Sequence, residues 1–391
     1  MPLARQVAGS PRPFPRHCRP SAEQPDVDVI ARRTALLIAV SLGAAGCQNQ
    51  AALPGCPTAH HLVAVAADAD PGGPVYVADD VAKSPGYAYS VERAGTLDAI
   101  LQSEDDGTPI ALLAPAAGGV IVVNGGAAAR RFDASGALLW TVGYGAFVGV
   151  SAGLGADDRL AVADQGSVRL LEADGTSAWE QPLPETVNDL VQVLGDGQSG
   201  YWAIGEFEHD VAPWIVGPPA GESGGVFVLH FDGSGNVIGA GVGTSTSNDF
   251  SHPAVASKDT AGAPMLVVRY WPNLSSYVAD AFDGAGQLLW SRPSADPIAA
   301  DTDGNLLSLS VSKGTLGLAR LDATGSELAS ADYSPFATGG GAVELTTAPT
   351  AGGILVAGEQ FDSAGSCDDR HFLLRVDTAS LAVTPLALGL P

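Results

Sequence analysis

The chain has 391 residues, with 49 Gly, 27 Pro and a hydrophobic fraction of 46%. That much apolar material excludes a disordered chain, and that many turn formers point to short strands around a packed core. A formal net charge of −24 excludes the basic surface that a nucleic-acid binder needs, and reads as a solvated acidic exterior.

Residues 1–30 are Pro- and Arg-rich without periodicity, and they read as an extension outside the fold. Arg32-Arg33 is followed by the apolar run TALLIAVSLGAAG (34–46) and then Cys47. A basic pair, a short apolar stretch and small residues before a cut site describe an export signal over 31–46. Thirteen residues of helix rise about 20 Å, too little to span a bilayer. The run AAGC (44–47) resembles the bacterial lipobox, which implies cleavage before Cys47, lipidation of its thiol and an anchor linker over 47–59. An ordinary signal peptide is the alternative. Gln48 after the lipidated cysteine, rather than Asp, points to the outer membrane.

Two further cysteines, Cys56 and Cys367, stand near opposite ends of the chain beyond Cys47. An even pair in an exported chain reads as a disulfide, with two separate thiols as the alternative.

From residue 60 onward a short motif returns. VERAG (91–95), FDASG (132–136), LEADG (171–175), FDGSG (231–235), FDGAG (282–286), LDATG (321–325) and VDTAS (376–380) are its copies. An acid followed three places on by Gly suits a hairpin turn: the carboxylate caps backbone N–H groups and the Gly takes positive φ. Trp140, Trp179 and Trp290 end three copies at the same offset, as packing residues between neighbouring units would. Arg131, His230, Arg320 and Arg375 stand two places before the acid, on the same strand side, and read as partners in surface charge pairs.

A second turn and apolar strand precede each copy: GGPVYVAD (72–79), GGVIVVNG (118–125), DDRLAVAD (157–164), GQSGYWAIG (197–205), GAPMLVVRY (262–270), GNLLSLSV (304–311) and GGILVAGE (352–359). Each unit is therefore strand, turn, strand, loop, strand, turn, strand. Four short strands in about 40–50 residues make one propeller blade, and a closed ring of blades hides its sheet edges. The expected fold is all-β, a single seven-bladed β-propeller of four-stranded antiparallel blades over 60–391. First and third turns of each blade fall on one face. Middle loops and blade-to-blade connections fall on the other, where Cys56 and Cys367 would meet across the ring closure.

The units at 209–243 and 301–311, with aromatic-acid-x-x-Gly and D-x-x-Gly-Asn turns, resemble the bacterial SBBP-type propeller repeat, and the repeats also resemble those of the quinone-cofactor (PQQ-like) propellers. The resemblance implies a propeller and no reaction. The chain lacks an adjacent cysteine pair, so no cofactor is expected.

There is no nucleophile elbow, metalloprotease helix, P-loop or C-x-x-C. His60-His61 supplies ligand types but does not by itself fill a metal sphere. DTDGN (301–305) spaces oxygen ligands as a calcium loop does, yet a turn explains it equally, and no metal is assigned. The long middle loops are the better place for function. Glu206, Glu208, His209 and Trp214 in one, with Tyr270, Trp271 and Asn273 in the next, form a candidate binding face for a protein or polysaccharide. The alternative is that these aromatics pack onto the blade rim.

The reading is a lipid-anchored envelope propeller, non-catalytic, that binds or scaffolds an envelope protein or a polysaccharide and no nucleic acid. The rival is a propeller lyase or hydrolase acting on a polysaccharide or lactone at the mouth of the central channel.

Overall fold

In the computed structural model the described residues are 60–67, 74–82, 87–93, 99–103, 109–124, 128–143, 151–163, 166–183, 187–207, 214–215, 225–244, 254–270, 277–293, 296–312, 314–334, 343–360 and 370–386. Residues 31–46, read from the sequence as an export signal, and Cys47, Cys56 and Cys367 lie outside them. Among the described residues no helix is long and apolar enough to cross a membrane.

Among the described residues the strands form seven four-stranded antiparallel sheets, each with its strands side by side in chain order. The blades span 60–103, 109–143, 151–182, 187–242, 255–293, 298–333 and 343–386. The first strand of each blade packs on the first strand of the next, which places it innermost. His60–Ala67, the first strand of blade 1, packs on Val343–Thr350 and Gly353–Gln360 of blade 7. Val65, Ala67, Val75 and Val77 of blade 1 share one core with Ala348, Leu355, Ala357 and Leu373 of blade 7. The first and last blades thus close the ring through buried apolar surface.

Each blade is covered on both sides by its neighbours, and the sequence shows it. Second strands such as Val120–Asn124, Leu160–Ala163 and Gly353–Gln360 are buried along their whole length. A strand buried on both faces needs apolar residues at successive positions rather than alternate ones. The fourth strands stand at the outer rim and alternate, as in Leu138–Gly143 and Leu288–Pro293. Leu138, Leu139, Ile238, Leu288, Leu289 and Leu328 remain exposed there.

The repeated motif forms the turn between third and fourth strands. In blade 2 the Asp133 Oδ1 accepts the N–H groups of Ser135 and Ala137 at 2.8 and 2.9 Å, and Gly136 sits at φ 88°. Asp232, Asp283 and Asp322 repeat the pattern. The Ser135 hydroxyl and then the turn N–H groups hold the Asp133 carboxyl below its ordinary value. The Asn236 side chain does the same for Asp232, and the Thr324 hydroxyl for Asp322. In blade 3 the motif's acid is Glu172, and Asp174 takes over by accepting from Thr176. In blade 7 Leu381, not Ser380, takes the left-handed conformation at φ 58°. The turn there is one residue longer, closed by the Asp377 N–H to the Ala382 carbonyl.

The three tryptophans join blades. The indole N–H groups of Trp140, Trp179 and Trp290 donate to the carbonyls of Ala173, Gly233 and Ala323, each in the turn of the next blade, at 3.0, 3.2 and 2.8 Å. The rings of Trp140 and Trp179 lie against Gly175 and Gly235, where a Cβ would come within 3.0 and 2.9 Å of them. Trp290→Phe keeps most of the buried ring and loses the donor. It is expected to cost about 1 kcal/mol, read from the denaturant midpoint at constant slope. No change would mean that the bond to Ala323 is not formed in solution.

Candidate functional site

Antiparallel strands alternate direction, so first and third turns lie on one face of the ring and the remaining connections on the other. The turn face is short and tied together. Connections there are no longer than seven residues. The Arg159 guanidinium of blade 3 donates to the Gly233 carbonyl of blade 4. The Ser257 hydroxyl of blade 5 donates to the Gly304 carbonyl of blade 6, and Thr378 of blade 7 donates to Asp301 of blade 6.

The opposite face carries the long connections. Seventeen residues, 208–224, join the second and third strands of blade 4; seven, 271–277, do so in blade 5; and nine, 361–369, in blade 7. Twelve more, 243–254, link blade 4 to blade 5. Glu208, His209, Trp271 and Asn273 lie outside the described residues. The described members of the expected binding face are Glu206, Trp214 and Tyr270.

One of these corrects the sequence reading. Tyr270 is fully buried, and its hydroxyl donates to Asp280 Oδ2 at 2.6 Å. Thr244, just after the last strand of blade 4, donates to the same carboxylate through its N–H at 2.7 Å and its hydroxyl at 3.1 Å. Tyr270 therefore clamps blade 5 to blade 4 and is not part of an exposed surface. Its place at the end of the apolar run PMLVVRY is the signal that could have shown this. Trp214 packs partly buried against the core shared by blades 3 and 4, beside the buried Ile215. Glu206 is half-buried at the end of Tyr201–Phe207.

The polar residues before the turn acids also differ from expectation. Rather than pairing on the surface with the acid two places on, they reach inward and sideways. Buried Arg131 donates to the Ala173 carbonyl of blade 3 at 3.0 Å and lies 3.7 Å from Asp158 of that blade. Arg320 donates to Ala379 of blade 7 at 2.6 Å. His230 is buried, stacks on Trp202 with ring centroids 4.0 Å apart, and bonds through Nε2 to Asp196 and through Nδ1 to the Gly284 carbonyl of blade 5. Third strands are covered on both sides by neighbouring blades, so the side shared with the turn acid is interior.

Asp301, the first residue of the calcium-like stretch, is a turn residue. Its carboxylate accepts the N–H groups of Asp303 and Asn305 at 2.9 Å, the Asn305 amide at 2.8 Å and the Thr378 hydroxyl. Among the described residues no three His, Cys, Asp or Glu side chains gather as a metal centre.

One His–carboxylate pair stands on the long-loop face. Buried Glu359, near the end of the second strand of blade 7, lies 2.6 Å from Nε2 of His371 on the third strand. Sequence reasoning missed it because twelve residues separate the two.

The fold is that of a β-propeller. No protein-family model matches the chain, and no curated protein matches it. Among solved structures the C-terminal WD40 domain of Sif2 is similar at 12% identity and a TM-score of 0.48, over 85% of this chain and 87% of that one. The Dos1 propeller is similar at 13% identity and 0.46, over 84% and 83%. A protein of unknown function from Bacteroides caccae is similar at 14% identity and 0.42, over 68% and 92%.

Proposed function

We propose that the chain is an exported lipoprotein, anchored through Cys47 at the cell envelope, whose propeller is a binding or scaffold module. Its partner is an envelope protein or a polysaccharide, met on the long-loop face. The observation that carries this reading is the asymmetry of the ring. One face has short turns tied to one another by hydrogen bonds, and the other carries the connections of seventeen, twelve and nine residues. Long connections on a rigid scaffold are where binding residues collect. Glu208, His209, Trp271 and Asn273 belong to these connections, and aromatics beside carboxylates suit a glycan or a protein surface.

The test is to replace 208–224 with a two-residue Asn-Gly turn and to screen both proteins against envelope proteins and polysaccharides. The shortened chain, which also gives up the packing of Trp214 and Ile215 on the core of blades 3 and 4, is expected to melt below the parent, to stay folded at the screening temperature and to lose partner retention by a factor of about ten or more. Unchanged retention would place binding elsewhere. A companion change, Cys47→Ser, is expected to move the chain from the membrane fraction to the soluble one. Cys56 and Cys367 are proposed to close the ring as a disulfide, which would leave neither thiol open to alkylation in the unfolded, unreduced chain.

A further inference from the structure

Seven large apolar side chains stay exposed among the described residues, and six of them stand at one place in the repeat. Leu138 and Leu139 of blade 2, Ile238 of blade 4, Leu288 and Leu289 of blade 5 and Leu328 of blade 6 are each the first or second residue of a fourth strand. That is the outer rim of the ring, beside the turn face. Scattered exposed leucines need no explanation, whereas six at one structural position do. The second residue is in each case the extra one of a β-bulge. Phe132 pairs with Leu138 and Arg131 with Trp140, which leaves Leu139 without a residue opposite, and Ile238, Leu289 and Leu328 repeat this. Such a bulge also disfavours the addition of a further strand at that edge. What the rim offers a partner is therefore side chains rather than a ladder.

Blades 4 and 5 bring two of these positions to one joint. Blade 4 has Gly239 where other blades place a tryptophan, and the turn of blade 5 lies directly on its strand, with the Ala240 N–H donating to the Ala285 carbonyl at 3.2 Å. Ile238 immediately precedes that contact, and Leu288 and Leu289 follow it. Leu288 pairs with Phe282, a member of the core shared with blade 4, so it stands on the blade 4 side. The three are 53%, 43% and 45% exposed. Blade 2 has the same leucine pair, but beside it blade 3 offers only Ser177 and Ala178 at the equivalent positions.

Charge decides what can cover this rim. The third turns of blades 4 and 5 carry Asp232 and Asp283, and that of blade 6 carries Asp322. Arg159, which reaches the Gly233 carbonyl beside Asp232, is already paired with Asp157 at 2.6 Å. The whole chain has a formal net charge of −24. A second copy or an anionic lipid surface would set like charge against these turns, and a cationic partner sets opposite charge there. We propose that the rim where blades 4 and 5 meet is a docking surface for a basic amphipathic helix of a partner protein. Its aliphatic side covers Ile238, Leu288 and Leu289, and its Lys or Arg residues face Asp232 and Asp283. This surface is separate from the long-loop face.

The test titrates the whole chain into a labelled peptide of about eighteen Leu and Lys residues in helical period, read by fluorescence anisotropy. Saturable binding of one peptide per chain is expected, weakening as salt rises. The double variant Ile238→Asn, Leu288→Gln should bind about ten-fold more weakly, and the double variant Leu138→Gln, Leu139→Gln should bind as the parent does. Where the first double variant melts below the parent, Leu289→Gln alone, at a bulge with no residue opposite, replaces it. The chain with 208–224 shortened should still bind, which separates this surface from the long-loop reading. No binding, equal loss in the blade 2 variant, or equal binding of a Leu and Glu peptide of the same pattern would overturn the proposal. Two other results would also overturn it by naming a different occupant. One is partition onto phosphatidylglycerol vesicles that is lost in the first double variant, and the other is a dimer in sedimentation equilibrium that is lost in the same variant.

Discussion

Asp196→Ala is expected to lower stability by about 3–5 kcal/mol, because it breaks a buried charged contact from one side. Asp196 is 5% exposed and its Oδ2 meets His230 Nε2 at 3.0 Å. Its Oδ1 accepts the N–H groups of Gln198 and Gly200 at 2.7 and 3.0 Å. Alanine leaves all three donors without this acceptor, in a site closed by Trp202. The same group sets a pH signature. Burial raises the Asp196 carboxyl, but the bonds from His230, Gln198 and Gly200 outweigh it and the result lies below the ordinary 3.8. A carboxyl lowered on folding stabilises the protein fully above its unfolded value and loses that contribution as pH falls through the folded one. The gap between parent and variant should be widest near pH 7 and shrink below about pH 4. Denaturant midpoints of both proteins at pH 7 and pH 3 measure it. A gap that stays constant would show that Asp196 is not held by these bonds in solution.

That His230 holds a buried position shows where sequence reading stopped. The copies of acid-x-x-Gly located the third turns, and the apolar runs located the second strands, because both are local. A hairpin turn needs its Asp and Gly whatever surrounds it, and a strand buried on both faces needs consecutive apolar residues. Alternation then misled. It placed Arg131 and His230 on the side of the turn acid and called that side surface. In a propeller both sides of a third strand are covered by other blades, which no local pattern states. The signal lay in the neighbours: His230 stands within GVFVLHF, buried from end to end. Tyr270 was misplaced for the same reason. The Glu359–His371 pair depends on the register of two strands joined by nine residues, and register is not local.

Gly286→Ala is expected to cost about 3–5 kcal/mol, and Gly262→Ala only about 1 kcal/mol, although both residues have the same backbone conformation. Their φ angles are 80° and 81°. Any L side chain pays the left-handed cost at either place. At Gly262 nothing stands within 4 Å of an added Cβ. At Gly286 the Cβ would lie 2.3 Å from the backbone carbon of Ala240 and 2.5 Å from its oxygen. Backbone cannot swing aside as a side chain does, so blades 4 and 5 must separate and give up the 3.2 Å bond from the Ala240 N–H to the Ala285 carbonyl. The reason lies one blade back. Where blades 2, 3 and 5 place Trp140, Trp179 and Trp290, blade 4 has Gly239, whose own Cβ would meet the Gly284 oxygen at 2.4 Å. Without an indole as spacer the turn of blade 5 descends onto the strand itself. Urea unfolding of both variants checks this, and equal losses would mean that the blades sit further apart in solution. A gap of about 2 kcal/mol or more would separate the cost of the conformation from the cost of the contact.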